Sequence, residues 1–184
     1  MVERTRWFAR SFAFDIEPSA FPNIVERVRG TPARLEERVR DLDAEVLTTR
    51  VEGAWSIQEN VGHLLDLESL WAARLDDFEH GAERLRAADL ENRRTHDANH
   101  NAARLADILG AFRREREAIV ERLERYDDAL VVRTALHPRL EQPMRLIDFV
   151  LFVAEHDDHH LGAITELRRD VASGRAHTER PTTT

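Results

Sequence analysis

Apolar residues recur at helical spacing in four long stretches of the chain. Ile24, Val28, Leu35, Val39 and Leu42 form the first stripe and predict a helix from about Phe21 to Leu42. Gly30-Thr31-Pro32 interrupts that stripe. Thr31 ahead of Pro32 makes a good N-cap and first-turn pair, so a kink or restart is expected there. The second helix opens at Ser56, with Glu59 three residues on to complete a capping box. Ile57, Val61, Leu64, Trp71, Ala72 and Leu75 share its inner face, and His80-Gly81 marks its end. Leu105, Ile108, Leu109, Phe112, Ile119 and Leu123 place a third helix from about Asn101 to Tyr126. Pro143 suits the first turn of a fourth, which runs to about Val171.

Between these stretches the pattern lapses. A short loop precedes Ser56, residues 81–97 are polar and irregular, and Asp127 to Gln142 reads as a loop carrying His137-Pro138. Residues 1–18 hold Trp7, Phe8, Phe12 and Phe14 ahead of the first helix, an arm packed on the bundle or on a partner subunit. Residues 173–184 lack apolar content, which predicts a disordered tail. The organisation expected is therefore an arm (1–18), a bundle (19–172) and a tail (173–184). No strand alternation of useful length and no internal repeat compete with an all-α four-helix bundle. Two long connections, around 81–97 and 127–142, leave room for crossovers.

Composition narrows the function classes. A chain of 184 residues is one domain and can bury a core unaided. With no cysteine there is no disulfide framework, no thiolate metal site and no nucleophilic thiol of its own. A net charge of −8 argues against a nucleic-acid partner. Arg113, Arg114 and Arg116 alternate with Glu115 and Glu117, which reads as a solvated helix face. All the basic residues of the Lys+Arg count are arginine, a mark of genome composition. No run approaches the ~18 apolar residues of a membrane span, and the longest, Phe149 to Ala154, reads as core. No apolar signal region opens the chain, so the expected location is cytoplasmic, with no membrane partner.

The histidines carry the candidate chemistry. His156 and His160 differ by only ~40° on the helical wheel. Phe149, Val153, Ala163 and Leu167 fall on the same side, so both imidazoles sit in the apolar face. A buried ring needs a partner, either a metal ion or a hydrogen bond from a neighbouring helix. His63 lies on the flank of the second helix's apolar face, within reach of the fourth in a bundle. Three histidines from two helices would leave a coordination position open, as catalytic zinc sites do. His159 reads as a proton carrier or an exposed residue. Glu68 falls near the centre of the second helix's apolar face, either as an acceptor orienting an imidazole or snorkelling to water. Asp157 and Asp158 turn outward. His96 and His100 share i,i+4 spacing in a polar stretch where no helix is assured. His80, His137 and His177 read as surface or loop residues, with His137 placed to line a pocket mouth. His-Glu-x-x-His, Glu-x-x-His, a phosphate-binding glycine loop and Gly-x-Ser-x-Gly are absent from the sequence.

Two segments resemble the signatures of the DinB/YfiT-like superfamily. Trp55-Ser56-Ile57-Gln58-Glu59-Asn60-Val61-Gly62-His63-Leu64 is similar to the first, and Ala154-Glu155-His156-Asp157-Asp158-His159-His160-Leu161 to the second. The likeness spans about residues 20–170. It implies a four-helix bundle, often a homodimer, holding one metal, zinc or nickel, on three histidines, here His63, His156 and His160. It also implies, for some members, transfer or isomerisation with a low-molecular-weight thiol. The expectation is a metal-dependent enzyme acting on a small-molecule substrate, an S-transferase or a hydrolase, with Glu68 and His159 as candidate proton carriers. The alternative is a non-catalytic module that binds a metal or a partner. A fourth protein ligand closing the site would favour it.

Overall fold

The computed structural model describes residues 4–173. Most of the expected tail, His177 and the first three residues of the arm lie outside the described residues. The elements are α1 (Phe21–Arg29), α2 (Thr31–Val39), α3 (Ala44–Thr48), α4 (Ile57–Glu79), α5 (Arg93–Asp97), α6 (Leu105–Leu123), α7 (Asp128–Val131), β1 (Thr134–His137), β2 (Gln142–Arg145) and α8 (Leu146–Ala172). Among the described residues, no helix is long and apolar enough to cross a membrane.

The predicted interruption at Gly30 divides the first helical stretch into α1 and α2. Pro32 has no N–H, so the Val28 carbonyl one turn earlier lacks its helical donor. Arg116 Nη1 supplies one instead, at 3.1 Å. The capping box of α4 is formed as expected, with Ser56 Oγ accepting from Glu59 N at 3.1 Å and Glu59 Oε2 accepting from Ser56 N at 2.8 Å. The fourth helix corrects the sequence reading. It begins at Leu146, where the Asp148 carboxylate accepts from Arg145 N at 3.0 Å. Pro143 lies in β2 instead, paired with Leu136 of an antiparallel hairpin. Strands of four residues are too short to display alternation. Proline is tolerated because β2 pairs with β1 alone and keeps one edge open.

The helices close a ring in which α1 packs on α6 and α8, and α4 packs on the same two. The α1–α2 pair and α4, consecutive in sequence, therefore occupy opposite corners, as do α6 and α8. The diagonal crossings are made by the α3 segment and by residues 124–145. The polar stretch 81–97 joins the neighbours α4 and α6 and makes no such crossing, contrary to the room foreseen for one there.

The core has two apolar halves. One gathers Val28, Trp71, Ile119 and Ala154, the other Leu35, Leu64, Phe112 and Leu161. Between them each corner of the ring contributes one polar residue to a shared layer: Thr31, Glu68, Arg116 and Asp157. Arg116 donates to both Glu68 oxygens at 2.7 and 3.0 Å, and its Nη1 and Nη2 bond Asp157. Thr31 Oγ1 donates to Asp157 Oδ2 at 2.8 Å. This layer overturns three expectations. Arg116 is not on a solvated face, Asp157 does not turn to water, and Glu68 neither orients an imidazole nor snorkels; all are at most 1% exposed. Periodicity missed them because α8 is enclosed on its back by α1 and α2 as well as on its front by α4. Asp158 also faces those helices and binds Arg34 at 2.6 Å and Arg27.

The described part of the arm packs on this bundle. Trp7 and Phe12 meet Phe152 edge-on or tilted, with ring centroids 5.0 and 5.2 Å away.

Candidate metal centre

His63 stands two turns into α4, at a height set by the capping box, and His156 and His160 lie midway along α8. All three are buried. Each presents one ring nitrogen such that the three lie within 4.8 Å of one another. His156 Nε2 and His160 Nε2 are 3.3 Å apart. The sequence-predicted trio is thus brought together.

Surrounding groups decide the tautomers. Asn60 Nδ2 donates to the Ser56 and Trp55 carbonyls at 2.8 and 3.3 Å. Its Oδ1 therefore faces His160 Nδ1, at 2.8 Å, and the proton of His160 sits on Nδ1. Thr95 Oγ1 donates to Asp66 Oδ2 at 2.8 Å, so it accepts from His63 Nδ1, at 3.0 Å. His100 Nε2 donates to the same carboxylate oxygen at 2.8 Å. Both His63 and His160 thus keep Nε2 as a bare lone pair. Such outer contacts orient ligands and raise their basicity. His156 differs: its Nδ1 is buried without a partner.

Burial holds all three rings neutral. His63 is lowered to about 4, chiefly by desolvation. His156 and His160 lie well below the ordinary value for the same reason, reinforced by the neighbouring imidazoles. Neutral imidazole is the ligand form, so three convergent ring nitrogens, two of them with fixed tautomers, fit a divalent transition metal. Among the described residues the cluster contains no fourth metal-ligating side chain.

The trio lies on the floor of a cleft of about 720 Å³. Aromatic rings wall it: Trp55 at 4.7 Å from His63, and Trp7 and Trp71 at 4.9 and 5.7 Å from His156. His159 lines the cleft rather than standing exposed. Arg4 Nη1 contacts its ring nitrogens at 2.8 and 3.1 Å, and burial with the Arg4 charge lowers it to about 4. Glu68 does not line the cleft, and both its oxygens are held by Arg116. His96 and His100 form no pair: His96 is exposed, whereas His100 is buried against Asp66. His137 lines the cleft as foreseen but is 2% exposed, not a surface residue.

Periodicity did not single out Asn60, Asp66 or Thr95. Asn60 lies inside the first signature segment, and Asp66 follows His63 by three residues on the same face of α4. Thr95 comes from a stretch read as irregular, and no local pattern points to it. Gly62 is explained by His100. A Cβ there would lie 2.2 Å from the imidazole carbons, so only glycine admits this approach.

No curated protein sequence matches the chain. Among solved structures, YfiT from Bacillus subtilis is similar, with a TM-score of 0.79 at 20% identity over 89% of this chain and 94% of that one. It is described as "a probable metal-dependent hydrolase with an unusual four-helix bundle topology". The diagonal arrangement of consecutive helices found here is an unusual topology for such a bundle. The model of the DinB superfamily matches residues 27–164, and the chain belongs to that superfamily.

Proposed function

We propose that this chain is a metal-dependent enzyme holding one divalent transition metal, zinc or nickel, on His63, His156 and His160. The observation that carries the reading is the convergence of three neutral, buried imidazoles at the floor of an open cleft. A metal bound there supplies Lewis acidity and lowers the pKa of a water or thiol at its open position toward neutrality. The protein's own part is positional. Asn60 and Thr95 aim the Nε2 lone pairs of His160 and His63. Trp7, Trp55 and Trp71 pack against the imidazoles and wall the approach to them. His159 stays the candidate proton carrier on the cleft wall, and it can take up a proton only once Arg4, which holds it neutral, moves off its ring. Glu68, closed off by Arg116, fits a structural role.

Hydrolysis is the reading preferred, supported by the likeness to YfiT. Transfer of an external thiol is the second reading. A cleft of about 720 Å³ has room for two reactants, and the chain has no cysteine to supply the sulfur. The test is elemental analysis of protein purified without a metal-binding tag, wild type beside His63→Ala. One zinc or nickel ion per chain, lost in the variant, is the expected result. No metal in the wild type after incubation with zinc or nickel would overturn the proposal.

A further inference from the structure

Among the described residues, three buried side-chain atoms lack a partner: Trp71 Nε1, Arg139 Nη2 and His156 Nδ1. All three belong to residues lining the cleft. Two of them are donors that lack an acceptor, and a third unmet demand lies beside them. His137 Nδ1 accepts from the backbone N–H groups of Leu140 and Arg139, at 3.1 and 3.3 Å. Burial and the two flanking arginines hold the ring at about 3, so it is neutral and carries a single proton. That proton must sit on Nε2, since Nδ1 is the acceptor. Yet His137 Nε2 is 3.3 Å from Arg74 Nη1, which is also a donor. The two N–H groups face one another with no acceptor between them.

The two cations here also lack a direct ion pair. Arg74 is 2% exposed and bonds the Arg86 carbonyl at 3.0 Å, with no carboxylate in its hydrogen-bond shell. The nearby Asp77 is taken by Arg86 at 2.7 Å. Arg139 is surrounded by rings, with Phe8, Phe152 and Trp7 centred 5.3, 5.8 and 6.0 Å from its guanidinium carbon. Desolvation lowers both arginines, Arg74 to about 10. A protein interior seldom leaves a buried guanidinium without an anion.

The geometry points to an oxyanion-binding site built by Trp71, Arg74, His137 and Arg139, which takes the carboxylate of an organic acid substrate. Four N–H groups match the roughly four lone-pair positions of a carboxylate. The walls of Leu67, Trp7, Phe8 and Phe152 suit an aromatic or alkyl body. The site adjoins the imidazoles, since the Trp71 ring is 5.7 Å from that of His156 and 5.6 Å from the Arg74 guanidinium carbon. A substrate anchored there by its carboxylate presents its adjoining bonds to the proposed metal. The chemistry rests on the metal-dependent reading; the binding does not.

The test uses metal-free protein, so that a metal cannot hold the carboxylate. All three tryptophans of the chain line the cleft, and their fluorescence reports occupancy. The probes are phenylacetate and its neutral amide, phenylacetamide. The wild type should bind the acid roughly tenfold tighter or more, as a charge-assisted hydrogen bond predicts. Arg139→Met should reduce that preference severalfold or more while melting no lower than wild type, and Arg139→Lys should restore part of it. Equal affinities in the wild type, no binding of either probe, or a preference unchanged in Arg139→Met would each overturn the proposal. Elemental analysis of zinc-loaded samples keeps the two readings apart. Metal bound with no preference for the acid spares the metal centre and sinks the carboxylate site; the reverse result does the opposite.

Discussion

The buried polar layer makes a sharp prediction through Glu68→Gln. Arg116 is one cation facing two carboxylates, so the layer holds an excess negative charge. Desolvation, with Asp157 close by, raises Glu68 from 4.5 to about 7 despite the arginine. Between those values the folded chain carries more protons than the unfolded one. Stability from this group is therefore full below about 4.5 and is lost as pH rises through about 7. At about 1.36 kcal/mol per pKa unit, the loss from about pH 5 to about pH 8 is on the order of 2 kcal/mol. Glutamine does not titrate. Any constant cost of turning an amide N–H toward Arg116 shifts both ends of the range equally, and all other groups are shared. Urea denaturation of both proteins across this range should show the gap moving in the variant's favour by on the order of 2 kcal/mol. A gap that stays constant, or that moves toward the wild type, would refute the argument that burial outweighs Arg116 at Glu68.

Three further outcomes follow from the site. Thr95→Val removes the acceptor of His63 Nδ1 and should weaken zinc binding by roughly 10- to 100-fold in competition with a chromophoric chelator, with circular dichroism unchanged; unaltered affinity would mean that Thr95 does not orient the ring. Gly62→Ala drives a Cβ into His100, which cannot retreat from Asp66, and should cost about 1–3 kcal/mol or more in urea denaturation. Chelation of the metal should leave helical content intact and lower Tm, by up to about 2.7 kcal/mol of stability at a hundredfold excess of metal over Kd; helix loss on chelation would assign the metal a structural role instead.

The fold was legible where a signal was local. Ser56 and Glu59 start α4 as read, Gly30 and Pro32 break the first helical stretch, and the spacing of His156 and His160 places both inward. What failed was any inference that treats one face of a helix as open to water. Arg116 and Asp157 look like surface charges by position, but each is matched by a partner many residues away. The hairpin escaped because its strands are four residues long, and because Pro143 carries equally good credentials for a helix start. Arg74 and Arg139 reach the cleft, and Thr95 the back of His63, only through tertiary placement, for which sequence spacing has no counterpart.

The diagonal arrangement of the helices also bears on how such a chain matures. The contact between Asn60 and His160 spans 100 residues, and the donors of the proposed centre come together only once α4 and α8 have met. A small zinc finger differs, because its nearby ligands let the ion organise the chain. An ion taken up by the proposed centre would arrive at a finished cage. It should therefore slow unfolding while leaving the folding rate almost unchanged, as for any interaction made after the transition state. On the metal-dependent reading, molecules made under metal starvation should accumulate folded and idle rather than unfolded, and should gain activity on the timescale of ion uptake, without new synthesis.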